Sequence, residues 1–78
     1  NRRFHETAWL ELGQRRGLPI TPEFYRDRIH SRSNAQTAAM LLGADAGRDA
    51  IDGLSAEKEE IYRGLYRPVM REISGLWI

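Results

Sequence analysis

The sequence predicts an all-α fold, a four-helix bundle formed by one domain that spans residues 1–78. Three observations lead to this prediction. Apolar residues recur at helical spacing in separate segments, residues that cap or stop helices lie between these segments, and no segment is a convincing strand. A chain of 78 residues has room for one domain at most.

The composition restricts the class of protein. Hydrophobic residues make up 41% of the chain and charged residues 29%, which is typical of a globular domain. The sequence has no apolar run long enough for a membrane span and no signal-peptide pattern, and a net charge of +1 gives no strong field for nucleic acid. We therefore expect neither a membrane nor a nucleic-acid partner. Cysteine is absent, which excludes disulfides and fits the cytoplasmic location that we predict.

The first helix is predicted at about residues 2–16. Its apolar face consists of Phe4, Ala8 and Leu12 at i, i+4, i+8 spacing, and Gly17 has the position of a glycine that ends a helix.

A second helix is predicted at about 22–29. Thr21 is a good N-cap, Pro22 suits the first helical position, and Glu23 favours the positive end of the helix dipole.

The third helix is predicted at about 34–42, after a capping box formed by Ser33 and Gln36 and before Gly43. Its close-packing face is predicted to consist of Ala35, Ala38, Ala39 and Leu42.

The fourth helix is predicted at about 56–67, with Ser55 as its N-cap, after a glycine- and aspartate-rich loop at 43–54. We expect it to end or kink near Arg67, because the ring of Pro68 opposes the carbonyl four residues earlier. Its apolar stripe is predicted to consist of Ile61, Leu65 and Pro68 or Val69.

Two features bear on chemistry. His5 and Trp9 lie one helical turn apart, which suits either simple packing or a ligand-facing edge. Lys58 shares a face with Ile61 and Leu65, so it either extends its ammonium to water or aims a point charge at an anion. It is the one lysine among twelve cationic side chains.

The segment SRSN, at 31–34, leads into the third helix. Its alternatives are ordinary capping by Ser33 or an anion pocket formed with Arg32 and Asn34. The chain contains no complete catalytic constellation, and its aspartates at 45, 49 and 52 lack the spacing of a calcium loop.

The order of four pieces of sequence carries a resemblance. His5-x-x-x-Trp9 is followed by GLPITPEFYRDRI, SRSNAQTAAMLLG and LSAEKEEIYRGLY. From about residue 4 to 68 the chain resembles the helical cap domain of haloacid dehalogenase (HAD) superfamily hydrolases. It looks closest to the subfamily that contains β-phosphoglucomutase and phosphoglycolate phosphatase.

The resemblance implies a function. In that family the cap is a four-helix insert in a Rossmann-like core, whose D-x-D-G-T motif carries the catalytic aspartates and the Mg²⁺ site. This chain lacks that motif and begins at Asn1 rather than Met, so we expect a cap excised from a longer protein. It would be inactive alone, hold no cofactor or metal itself, and bind a phosphorylated small molecule together with a Mg²⁺-dependent core.

The resemblance also implies which residues contact substrate. His5 and Trp9 match the histidine and aromatic residue of the first cap helix, next to the cleft. The specificity loop corresponds to Arg32, Ser33 and Asn34. Lys58 matches a lysine on the fourth helix that reaches toward the substrate.

The alternative function is a free-standing helical module for protein interaction or dimerisation. In that case Trp9, Trp77 and the apolar C-terminal tail would form the partner surface, and the isolated chain would be a homodimer.

Overall fold

Four helical segments form the domain in the computed structural model, which describes the backbone of residues 2–75 and the side chains of residues 3–68. They are α1 (Arg2–Arg16), α2 (Pro22–Phe24) with a π-helical continuation (Tyr25–Ile29), α3 (Asn34–Leu42) and α4 (Arg48–Gly75). Residues 2–75 contain no strand, so the all-α prediction is confirmed. No helix in this part of the chain is long and apolar enough to cross a membrane.

Side chains begin two of the helices as predicted. The hydroxyl of Thr21 accepts a hydrogen bond from the backbone N–H of Phe24 at 3.0 Å. At the start of α3, Ser33 Oγ accepts from the Gln36 N–H at 3.1 Å, and Gln36 Oε1 accepts from the Ser33 N–H at 2.9 Å. This reciprocal pair is a capping box, and it satisfies two N–H groups that the helix itself cannot.

Glycines end α1 and α3 for a conformational reason. Gly17 has φ of +68° and Gly43 has φ of +100°, a region that side-chain-bearing residues rarely adopt. Each residue therefore reverses the chain at a point where a Cβ atom would cause strain, as the sequence predicts.

The second helix has the predicted bounds but a different geometry. After one α-helical turn the backbone widens, and the N–H of His30 donates to the carbonyl of Tyr25 at 2.9 Å, five residues earlier. Tyr25 and Ile29 are both buried in this π-turn. Single π-turns are rare and often occur at functional sites.

The fourth helix is much longer than predicted. It begins at Arg48 rather than near 56, so Ser55 is an interior residue and not an N-cap, and most of the predicted loop 43–54 is helical. The physical reason is burial: Leu54 is in the core and Ile51 packs against it. This burial outweighs the low helix propensity of Gly53 and the neighbouring aspartates.

Pro68 does not end α4. The helix continues to Gly75, so the predicted end near Arg67 is wrong. A proline inside a helix removes one backbone hydrogen bond and crowds the carbonyl four residues earlier, which here belongs to Gly64. Pro68 is exposed and takes no part in the predicted apolar stripe, whereas Ile61 is buried and Leu65 half-buried.

The core lies where α1, the π-turn and α3 pack on α4. Helices α1 and α4 are antiparallel, because Phe4 contacts Tyr66 edge-to-face while Arg16, at the other end of α1, forms an ion pair with Glu57. The buried apolar residues are Ala8, Trp9, Leu12, Ile20, Tyr25, Ile29, Ala38, Leu54 and Ile61.

The buried face of α3 differs from the predicted alanine face. Thr37 and Ala38 are buried and Leu41 packs on the core, whereas Ala35 is exposed and Leu42 is 39% exposed. The apolar count along the helix favoured the alanines, but Thr37 takes the inward position because the capping box at Ser33 sets the rotation of the first turn.

The length of α4 leads to a stability prediction. Replacing Gly53 by Ala should raise the free energy of unfolding by about 0.5–1 kcal/mol, because the residue is inside a helix and its Cβ would meet open space. Gly64→Ala, at a second open helical position, should give a similar gain. Urea unfolding followed by far-UV circular dichroism measures both.

Gly13→Ala is the matched control, because Gly13 is also inside a helix. Its Cβ would lie 3.0 Å from Ile20 Cβ and 3.2 Å from the Leu18 carbonyl oxygen, so this variant should be destabilised. A loss of stability in Gly53→Ala would contradict the extended helix.

Candidate functional site

A cavity of about 430 Å³ opens between α1, the π-turn, the loop before α3 and α4. All six site residues predicted from the sequence line it, although they come from three separate parts of the chain. The lining consists of His5, Trp9, Tyr25, Ile29, His30, Arg32, Ser33, Asn34 and Lys58. We refer to it as the Lys58 cavity.

Lys58 is buried, not extended to water. Only 1% of its surface is exposed, and its ammonium contacts two neighbouring side chains. Nζ lies 2.6 Å from His5 Nδ1 and 3.3 Å from Glu59 Oε2. It also lies 5.7 Å from the centre of the Trp9 ring and 5.3 Å from that of Tyr62, within the range of cation–π attraction.

The electrostatics of Lys58 are a balance between burial and its carboxylate neighbour. Burial lowers the pKa of Lys58 because it penalises the charged form, and Glu59 partly opposes this shift. An ammonium has three donor hydrogens, whereas residues 3–68 supply two acceptors for this one. The third N–H is therefore available to a ligand in the cavity.

His5 is held as a neutral acceptor. Its ring stacks on Tyr62 with centroids 4.2 Å apart and planes 12° from parallel. Since an ammonium can only donate, Nδ1 accepts the hydrogen bond from Lys58 and the ring proton is on Nε2. Burial, and then the positive charge of Lys58, lower the pKa of His5.

Glu59 ties the specificity loop to α4. Its Oε2 accepts from Asn34 Nδ2 at 2.7 Å as well as from Lys58. Burial alone would raise the pKa of Glu59, but the hydrogen bond from Asn34 and the nearby Lys58 charge outweigh it and lower the pKa. Asn34 thus lines the cavity with its amide already engaged, and contributes by positioning Glu59.

The other loop residues have different parts. Ser33 lines the cavity, but its hydroxyl is engaged in the capping box, so the capping interpretation is correct for this side chain. The Nε of Arg32 donates to the carbonyl of Arg28 at 2.6 Å, and within the described residues its two terminal amino groups have no acceptor. Arg32 is exposed at the mouth, where those groups can reach a ligand.

Trp9 answers to both of its proposed roles. It is 2% exposed and belongs to the core, as the packing interpretation requires. Its ring also lines the cavity beside Tyr25 and Ile29, which together form an apolar wall opposite the polar groups. This burial contradicts the idea that Trp9 forms an exposed partner surface; Trp77 lies outside the described residues.

Sequence reasoning missed three lining residues: Tyr25, Ile29 and His30. The ring of His30 contacts that of Tyr25 edge-to-face, with centroids 6.3 Å apart. In an α-helix these positions would be spread around the axis, whereas the π-turn brings them to one side. No local sequence signal announces a π-turn, but a histidine directly before SRSN was a candidate.

The donor set suits an anion and not a metal ion. Residues 3–68 contain no group of three or more His, Asp or Glu side chains that could hold a metal. The cavity instead presents an ammonium and a guanidinium, the two cations that proteins use for phosphate and carboxylate groups. Comparison of the chain with protein-family models, curated proteins and solved structures finds no match.

The state of His5 leads to a pH prediction. Because its pKa is lowered on folding, the unfolded chain binds this proton first, and stability should fall as the pH drops below about 6.5. His5→Asn keeps an acceptor for Lys58 but cannot titrate, so its unfolding free energy should depend less on pH between about 7 and 5. Urea unfolding at several pH values measures both slopes.

His30→Asn is the matched control, because it removes the other imidazole of the chain and leaves His5 in place. It should keep the wild-type slope. Parallel curves for the wild type and His5→Asn would contradict the neutral, buried state of His5.

Proposed function

We propose that this chain is the substrate-recognition cap of a HAD-like phosphatase or phosphomutase, and that the Lys58 cavity binds the phosphorylated substrate. One observation carries the proposal: the six residues chosen from the resemblance, separated by up to 53 positions in the sequence, line one cavity. Chance placement on a helical bundle would scatter them over several faces.

The chemistry of the cavity supports a phosphate ester as ligand. The free N–H of Lys58 and the terminal amino groups of Arg32 lie on its polar side. Charge-assisted hydrogen bonds from such groups to phosphate are short and strong. The apolar wall of Trp9, Tyr25 and Ile29 excludes water from the other side, which strengthens these bonds.

The chain itself supplies binding, not bond cleavage. The sequence lacks D-x-D-G-T, and residues 3–68 offer no cluster of carboxylates that fits Mg²⁺. The proposal therefore leaves both to the core domain that the resemblance implies. Here Lys58 and Arg32 would hold the substrate, and Trp9 with its apolar neighbours would keep water away.

The interaction-module alternative has lost one of its two anchors. Trp9 is buried and cannot contact a partner. Among the described large apolar side chains, Leu42 and Tyr66 are the exposed ones, and they belong to different helices. We find no observation that favours this alternative over a cap.

The proposal predicts the behaviour of the encoding gene and its product. Translation of the region just before the codon for Asn1 should reveal D-x-D-G-T. In that longer polypeptide, Lys58→Met or Arg32→Met should lower kcat/KM for its phosphate ester about 10²–10³-fold, the usual effect of losing one charged donor. Steady-state kinetics measure the change.

Arg16→Met is the control for this experiment, because it removes an exposed ion pair with Glu57 outside the Lys58 cavity. It should leave kcat/KM within about twofold. A gene with no phosphate-handling domain, or unchanged kinetics in both cavity variants, would overturn the proposal. So would robust hydrolysis of phosphate esters by the isolated chain with Mg²⁺.

A further inference from the structure

We propose a second activity for the same cavity: Lys58 condenses with the carbonyl group of a small aldehyde or keto acid and forms an imine. This inference rests on the geometry around Nζ in this chain. It requires neither the cap assignment nor a phosphate group.

The choice of residue at position 58 is the first observation. Eleven of the twelve cationic side chains are arginine, and the single lysine is the one that is buried against a cavity. A guanidinium stays protonated in proteins, whereas an amine can lose its proton and become a nucleophile. An arginine would serve anion binding well, so the amine points to chemistry that only an amine performs.

The surroundings of Nζ are the second observation. A neutral imidazole nitrogen lies 2.6 Å away and can take the proton, while the aromatic faces of Trp9 and Tyr62 confine the side chain. Burial lowers the pKa of Lys58, which raises the fraction of neutral amine. Glu59, 3.3 Å away, opposes the effect by stabilising the ammonium.

The reaction can be written with these groups alone. The ammonium gives a proton to His5 Nδ1, and the Nζ lone pair attacks the carbonyl carbon, which opens the C=O bond to a hydroxyl. The imidazolium returns the proton to that hydroxyl, water leaves, and the C=N bond forms. Overall, R–CHO and the amine of Lys58 give R–CH=N–Lys58 and water, with no oxidant or reductant.

The cavity also indicates the class of carbonyl compound. Arg32 offers two terminal amino groups at the mouth, a pair of donors that suits a carboxylate. Lys58 lies deeper, beside the apolar wall. A short chain with a carboxylate at one end and a carbonyl at the other, such as a 2-oxo acid or glyoxylate, matches this arrangement.

Reductive trapping tests the proposal. The purified chain is incubated with glyoxylate and cyanoborohydride, which reduces the imine to a stable secondary amine, and peptide mass spectrometry measures the modified fraction at Lys58. The same chain unfolded in urea is the reference, and the N-terminal α-amine is an internal standard in both. Relative to that standard, Lys58 should react at least about fivefold faster in the folded chain.

Two variants separate the imine from an adventitiously reactive lysine. Glu59→Gln removes the charge that holds the ammonium and should accelerate trapping severalfold. His5→Asn removes the proton acceptor and should slow it severalfold. Circular dichroism verifies that each variant is folded.

The outcomes are decisive in either direction. Faster trapping in the folded chain, with opposite effects of the two variants, supports the imine. Trapping at Lys58 that is no faster than in urea, or folded variants that leave the rate unchanged, would overturn it. Because this measurement involves no phosphate ester and no core domain, its failure would leave the proposed cap function standing.

Discussion

The burial of one ammonium group between α1 and α4 is the constraint on which the site depends. Lys58 is fully enclosed, so its charge must be met by groups that are already in place: the Nδ1 of His5, the carboxylate of Glu59 and two aromatic faces. A buried charge without such partners costs several kcal/mol. The packing of α1 on α4 is therefore coupled to the chemistry of the cavity, because moving either helix would separate the ammonium from its acceptors.

The same constraint extends to the loop before α3. Glu59 accepts from Asn34 as well as from Lys58, so the first residue of α3 is linked to the buried charge through one carboxylate. The capping box at Ser33 fixes the direction in which the chain enters that helix. Substrate recognition by the loop and stabilisation of Lys58 are thus parts of one hydrogen-bonded arrangement, and a change in one is transmitted to the other.

Much of the fold was predictable because its signals are local. Caps at Thr21 and Ser33 and stops at Gly17 and Gly43 act within four residues, so the sequence locates them correctly. The first half of α4 was not predictable, because its propensity is poor and its stability comes from burying Leu54 among residues distant in the chain. The inward face of α3 and the π-turn were missed for the same reason: each depends on contacts with other helices.

The sequence alone determined which residue types are present at the site and in what order, and this was enough to nominate all six predicted lining residues. Only the tertiary structure decided what each of them does. Whether Lys58 reaches water or is enclosed, whether His5 gives or accepts a proton, and whether Trp9 is core or surface all depend on side chains more than fifty positions away or on another helix. Helical spacing specifies the face that a residue occupies, whereas burial and charge partners arise from how the faces meet.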